Sequence, residues 1–294
     1  MGVLPFQRVA ICGPGLLGGS IALALRERMP ECELRLWARR AEQLAQAREL
    51  GITQHTFEDL RAAVRGAELV ILATPIGAFE ELARRMMPAL AKGCIVTDIG
   101  SVKAYVHRTT GQLLTERGHV FIGSHPMAGA EVQGLANARA SLINGATVAL
   151  TNPHGAAEEL VTRLAAFWAG LGCKPYALDP VNHDRAVARI SHMPHVLAGL
   201  AARYANSGDV PVDDLQRLAA SGFRDTTRVC AGGTGMWTDI LWENDVAVRE
   251  VLAHCVEDLH ALIALLEQQD KAGLRRWLDE AGASRALIRR ERSR

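Results

Sequence analysis

The chain has 294 residues, 49% hydrophobic and 22% charged, which describes a globular protein with apolar mass for one large domain or two ordinary ones. With 33 basic against 32 acidic residues the net charge is +1, so no strong field exists to hold nucleic acid or an anionic membrane. The six cysteines, Cys12, Cys32, Cys94, Cys173, Cys230 and Cys255, are scattered without a CxxC pair, which argues against a zinc site or a disulfide framework and for a reducing cytosol. The N-terminus runs into a strand by Arg8 with no leader pattern, and no apolar run approaches membrane-spanning length, so a cytoplasmic protein is expected.

In chain order, RVAIC (8–12) predicts a strand and LLGGSIALALRERM (16–29) a helix. ELRLWA (33–38) is a second strand, followed by a helix over 41–50. ELVILATP (68–75), CIVTDIG (94–100), HVFIG (119–123), ATVAL (146–150) and KPYAL (174–178) continue the series of strands. Apolar strands alternating with helices imply βαβ units and a parallel sheet covered on both faces. After Asp179-Pro180 the β-rich runs stop. Residues 181–207 predict one long helix interrupted at Pro194, and 212–221, 237–268 and 271–290 predict further helices. The expected architecture is an α/β doubly wound domain of the Rossmann type over 1–179 and an all-α domain over 180–294. Such a helical domain rarely shields several long apolar faces alone, so a homodimer is expected. The run from Arg285 to Arg294 carries five arginines and is expected to be a solvated tail.

Gly13-Pro14-Gly15-Leu16-Leu17-Gly18 is a GxGxxG fingerprint between a strand and a helix. Gly13 permits the turn, Gly15 lets backbone approach a pyrophosphate, Gly18 lets the helix pack on the strand, and Leu16 and Leu17 open that helix. In NAD-binding folds an acid about 20 residues on holds the ribose hydroxyls. Here the second strand ends at Ala38, followed by Arg39 and Arg40, a pattern that favours NADP through its 2′-phosphate. Thr74 and Pro75 end the next strand, where a nicotinamide ribose could lie. Ligands of open α/β sheets bind off the carboxyl ends of the strands. Ser101, after Asp98-Ile99-Gly100, belongs to that edge and is also a plausible helix N-cap.

GSHPMAGAEVQG (123–134) places His125 before Pro126 on a stiff, Gly-rich turn, the fixed aim an acid–base group needs. Glu131 nearby could gate a pocket, select a substrate side chain or cap a helix. In the helical half, Ser191 and His195 are four apart around Pro194, a polar face suited to a substrate wall. Arg228 closes GFRDTTR (222–228) in a stretch expected to be a loop, where it could hold a carboxylate bidentately.

Together GPGLLGGS (13–20), DIGSVK (98–103), GSHPMAGAEVQG, SHMPH (191–195), GFRDTTR and MWTDI (236–240) resemble the prephenate/arogenate (cyclohexadienyl) dehydrogenase family of tyrosine biosynthesis. They occur in the family's order and span nearly the whole chain. The resemblance implies an oxidative decarboxylation: hydride passes from the ring carbon bearing the 4-hydroxyl to NAD(P)+, and the ring carboxylate leaves as CO2. It implies that neutral His125 accepts a hydrogen bond from the 4-hydroxyl, that Ser101 supports it, and that Ser191 and His195 line the pocket. It further implies that Arg228 anchors a substrate carboxylate and that Trp237 shapes the pocket. Glu131 and Arg224 leave the choice of keto or amino side chain open. Ala38 departs from the acid of NAD-using members. No fused chorismate mutase segment and no C-terminal regulatory domain are expected. Two other readings are a β-hydroxyacid dehydrogenase, disfavoured because 181–207 contains no lysine, and a non-catalytic NADP(H) sensor, which has no need of His125, His195 and Arg228 together.

Overall fold

The apolar runs at the start of the chain become the centre of a parallel sheet in the computed structural model, which describes residues 4–208 and 210–288. Its strands are β1 (Arg8–Cys12), β2 (Glu33–Trp37), β3 (Thr56–Phe57), β4 (Leu69–Leu72), β5 (Ile95–Asp98) and β6 (Val120–Phe121). They lie in the order β3-β2-β1-β4-β5-β6, every pair parallel. This is the doubly wound arrangement that reverses direction beside β1 and opens a crevice there. β4 and β5 are buried along their whole length, as helices on both faces require. One apolar cluster joins Val9, Ile11, Ile21 and Leu25 to Phe167 and Trp168, and a second joins Ala10, Val70 and Val96 to Phe79 and Phe121.

Three later strands depart from the single sheet expected. HVFIG divides after Phe121. The chain leaves the first sheet at Ile122 and starts β7 (Gly123–Pro126), which pairs antiparallel with β8 (Thr147–Thr151), itself parallel to β9 (Lys174–Ala177). His125 therefore sits on a strand opposite Ala149, not on a turn. The local cause is visible in the sequence of the strand. The residue before a proline is driven to extended backbone, and Pro126 is tolerated because β7 is an edge strand. A Cβ at Gly123 would lie 2.5 Å from Thr151 Oγ1 of β8 and 2.8 Å from His107 Nε2, so glycine is what lets β7 sit this close to both.

The helical half begins at Pro180–Val187, capped by the Asp179 carboxylate on the amides of Val181 and Asn182. The expected break at Pro194 takes another form. A π turn, Ala188–His192, leads into the helix Met193–Ala205, and the Met193 amide bonds the carbonyl of Ala188. The widened turn accommodates the proline, which lacks an N–H and crowds the preceding turn. Helices Val212–Leu218 and Ser221–Thr227 follow, then Thr234–Glu243. The helix expected over 237–268 is split at Asn244, beyond which Asp245–Glu267 and Lys271–Ile288 run separately. Two compact units divide between Asp245 and Val246. The arginine run beyond Ile288 lies outside the described residues.

Candidate active site

Along β7 successive side chains point to opposite faces. Ser124 faces the core, where its hydroxyl meets Thr97 Oγ1 at 2.7 Å and accepts from Trp168 Nε1 at 3.1 Å. His125 faces the helical half. Its Nδ1 lies 2.8 Å from His183 Nε2, and His183 Nδ1 lies 2.7 Å from Asp184 Oδ1. Asp184 in turn accepts from the backbone amides of Lys103 (2.7 Å) and Ala104 (2.8 Å). All three side chains are buried, His125 being 8% exposed. No described protein group bonds His125 Nε2.

Below this chain, Lys103 Nζ pairs with Asp98 and donates to the Ser124 carbonyl at 2.9 Å. Asp98 also accepts from the amides of Gly100 (2.8 Å) and Ser124 (3.2 Å). These contacts fix the end of β5 against β7 and so set where His125 stands. Burial pushes the Asp98 carboxyl up, and the adjacent ammonium opposes that rise. Burial also holds His125 well below the ordinary histidine range, reinforced by His183, Lys103 and His192. A cation there would lose its hydration without gaining a counter-charge. Burial lowers His192 to about 4, and its Nδ1 takes a hydrogen bond from Asn244 Nδ2 at 3.1 Å.

His195 stacks on Trp237, with centroids 3.5 Å apart and planes at 13°. Its Nδ1 is buried with no hydrogen-bond partner among the described residues. Arg228 forms an ion pair with Glu131, both side chains being partly exposed. The stretch expected to be a loop is the helix Ser221–Thr227 followed by a 3-10 turn from Arg228 to Ala231, and the Thr227 hydroxyl donates to the Phe223 carbonyl at 2.7 Å. Arg224 bonds the Ala219 carbonyl at 3.0 Å, closing the preceding helix. Ser101 and Ser191 are half-buried, and neither hydroxyl has a hydrogen-bond partner among the described residues. Ser101 is not the N-cap of the helix at Ala104. Asp184 takes that role from a distant segment.

His183, Asp184, His192, Lys103 and Asn244 were not singled out from sequence. The signal for the first two was a His-Asp pair in the first turns of a helix opened by Asp179-Pro180. The carboxylate was placed where a helix normally buries apolar groups.

At the carboxyl end of β1, Gly13 has φ +107°, and a Cβ there would lie 2.8 Å from the Ala73 carbonyl oxygen and 2.9 Å from Thr74 Cγ2. A Cβ on Gly18 would strike the Gly13 carbonyl and lie 2.9 Å from Ala73 Cβ. Gly15 instead faces open space, with no atom within 4 Å of a would-be Cβ. The helix Leu16–Arg28 starts there without a side-chain cap, so its first amides remain available to an anion. Leu16 and Leu17 are half-buried, and Thr74, which precedes Pro75, borders the turn. Ala38 is buried, while Arg39 and Arg40 are exposed with no described ion-pair partner. This cradle fits a dinucleotide: its turn excludes side chains while its helix end is open.

Comparison with known proteins gives the same picture along the whole chain. Residues 21–177 match the family model for the prephenate dehydrogenase nucleotide-binding domain, and residues 179–280 match that for the prephenate dehydrogenase dimerization domain. The chain is 33% identical to the cyclohexadienyl dehydrogenase of Zymomonas mobilis over 97% of both chains. It is 30% identical to the prephenate dehydrogenase of Bacillus subtilis, covering 93% of this chain and 74% of that one. Among solved structures, the A. aeolicus prephenate dehydrogenase in complex with hydroxyphenyl propionate and NAD+ superposes with a TM-score of 0.89 at 27% identity, over 98% of this chain and 99% of that one. Synechocystis arogenate dehydrogenase superposes with a TM-score of 0.81 at 31% identity, over 96% of this chain and 100% of that one. By both halves of its sequence and by its fold, the chain belongs to the prephenate dehydrogenase family of oxidoreductases.

Proposed function

We propose that this protein oxidatively decarboxylates prephenate or arogenate, giving 4-hydroxyphenylpyruvate or tyrosine. The observation that carries the reading is His125: buried, held neutral, bonded through Nδ1, and with Nε2 left to meet a ligand. The bound nicotinamide supplies the hydride acceptor. His125 Nε2 accepts the hydrogen bond of the 4-hydroxyl and draws its proton closer as the ring carbon–hydrogen bond breaks. The electrons of the ring–carboxylate bond then enter the ring, CO2 leaves, and the proton stays on the oxygen of the new phenol. Ser101, whose hydroxyl is uncommitted, supports the same hydroxyl group. Ser191, His195 and Trp237 form a polar and aromatic wall, and Arg228 exchanges Glu131 for a substrate carboxylate.

Gly13, Gly15, Leu16, Leu17, Gly18, Thr74 and Pro75 are proposed to hold the dinucleotide. NADP is proposed as the preferred cofactor, because Ala38 offers the ribose no carboxylate and the unpaired Arg39 and Arg40 suit a 2′-phosphate. Residues 1–179 are proposed as the dinucleotide-binding domain and 180–294 as the substrate-binding and dimerisation domain. The capped helix start at Asp179 supports that boundary. Six cysteines without a disulfide support a cytoplasmic location. Among the described residues no helix is long and apolar enough to cross a membrane.

The test is a kinetic matrix of prephenate and arogenate against NAD+ and NADP+, followed at 340 nm. Turnover of at least one substrate is expected, with the lower cofactor KM for NADP+. Absence of turnover in all arms removes the assignment. In the Arg39→Ala, Arg40→Ala double variant, KM for NADP+ should rise by about 10-fold or more, for about 1.5–3 kcal/mol of lost charge-assisted bonding, while KM for NAD+ changes little. Equal losses for both cofactors argue against a 2′-phosphate contact.

A further inference from the structure

The imidazole of His125 is one end of a buried chain whose other end is a fixed carboxylate. We propose that His183 and Asp184 are positioning residues that set the tautomer of His125, placing the proton on Nδ1 and the lone pair on Nε2. This rests on the reading of His125 as the acceptor for the substrate hydroxyl.

The assignment follows from which atoms can only donate. The amides of Lys103 and Ala104 donate to Asp184, one to each carboxylate oxygen, at 2.7 and 2.8 Å. Asp184 is thereby held as an acceptor. Its Oδ1 lies 2.7 Å from His183 Nδ1, so that nitrogen must carry the proton. A neutral imidazole has one N–H, which leaves His183 Nε2 as an acceptor. At 2.8 Å from it, His125 Nδ1 must then be the donor, and its Nε2 keeps the lone pair. With both imidazoles neutral, reversing any one link would set two lone pairs or two N–H groups face to face in a buried site and leave both partners unbonded.

The remaining groups around the chain do not supply an alternative. Lys103 Nζ is committed to Asp98 and the Ser124 carbonyl. Asn244 Nδ2 donates to the Asp184 backbone carbonyl at 2.9 Å and to His192, so it leaves the carboxylate free for His183. Asp184 thus joins three segments: the helix start at Ala104, the helix Pro180–Val187 and, through His183, strand β7. The position of His125 and the direction of its lone pair have a common origin in this residue.

The direct test is a long-range proton–nitrogen correlation spectrum of the uniformly 15N-labelled full chain, without substrate, with His125 assigned from its loss in His125→Asn. The expected wild-type result is a pyridine-type Nε2 and a pyrrole-type Nδ1. A pyrrole-type Nε2 on His125 overturns the proposal and needs no variant. In Asp184→Asn the amide NH2 can donate to His183 Nδ1 and reverse every link. The expected result is a pyrrole-type Nε2 on His125 and a fall in kcat of about 10²–10⁴-fold, with the cofactor KM near that of wild type. Unchanged imidazole nitrogens together with wild-type kcat in that variant overturn it equally. His183→Gln, whose side-chain oxygen can accept from His125 Nδ1, is expected to keep the pyridine-type Nε2 and to retain more kcat than Asp184→Asn. Loss of that nitrogen signature in His183→Gln counts against the proposal. Because the spectrum is recorded without substrate, failure of both substrates in turnover would retire the proposed reaction while leaving the tautomer assignment to its own test.

Discussion

In the proposed reaction His125 has to satisfy two demands: it must stand clear of water to act on one hydroxyl, and it must remain neutral to accept the hydrogen bond. Burial meets both, because it excludes solvent and disfavours the imidazolium. Replacing it by asparagine removes the basic nitrogen at similar size, so kcat should fall by about 10²–10⁴-fold. The cofactor KM should barely change, since the glycine turn follows β1 of the six-stranded sheet whereas His125 stands on β7 of the other. Wild-type kcat in that variant would remove His125 from the reaction. In the proposed reaction the active form is the neutral one, which dominates above the pKa. With the folded pKa below the ordinary 6.5, the acidic limb of kcat/KM should be centred below pH 6.5, and a limb at or above that value contradicts the buried, neutral site. At Arg228 the reasoning concerns exchange. Its ion pair with Glu131 is partly exposed, and such pairs contribute about 0–1 kcal/mol. In the proposed reading the guanidinium can therefore leave Glu131 for a substrate carboxylate at small cost. Arg228→Ala should raise substrate KM by about 10–100-fold with kcat within a few-fold, the loss of one charge-assisted contact. An unchanged KM assigns Arg228 to structure alone.

Between the elements, the buried histidines act as neutral struts. His107 Nε2 bonds Thr151 Oγ1 at 2.7 Å and ties the segment after Ala104 to β8, and His192 is tied to Asn244. Burial lowers His107 to about 3 and His192 to about 4. Unfolded, each titrates near 6.5, so below that pH the unfolded chain binds more protons and stability falls as pH falls. The full contribution is present above pH 6.5 and is lost progressively toward the folded values. Each histidine should cost up to about 1.4 kcal/mol per pH unit in that window. Urea unfolding at pH 7 and pH 5 measures this. Equal midpoints at the two values contradict neutral burial. The same elements show what sequence could and could not reveal. β1, β2, β4 and β5 were legible because a parallel sheet needs unbroken apolar runs, and the Gly13–Gly18 turn because its close contacts admit nothing larger. The partition of β7, β8 and β9 into their own sheet was not, since an apolar run specifies a strand but not its neighbour. Nor was β3, at two residues too short to carry a pattern. The expectation at His125 came from Pro126 and the glycines, and the hydrogen-bonded chain of His183 and Asp184 behind it was not part of it. Lys103 and Asp184 are far apart in sequence and meet only through the fold, so neither DIGSVK nor the His-Asp pair discloses their contact.

On the scale of the whole chain, the balance of charge offers no long-range attraction to a polyanion, and association has to come from apolar surface. The helix Asp245–Glu267 carries such a surface. Val256, Leu259, Ile263 and Leu266 are each about half exposed or more. They recur at spacings of three and four, so they form one stripe along the helix. A stripe of this kind in water is unfavourable and marks an association surface. It falls within residues 179–280, the stretch matching the dimerization domain of the family. The protein should therefore run at twice its monomer mass in sedimentation or light scattering. Glutamates at Leu259 and Ile263 place two charges on the stripe. If it is the contact between two copies, the double variant should become monomeric. Because both positions are exposed within the single chain, helix content by circular dichroism should be preserved and the unfolding midpoint of the monomer little changed. A double variant that stays dimeric would move the contact to another face of the helical half, and a monomeric wild type would exclude it altogether.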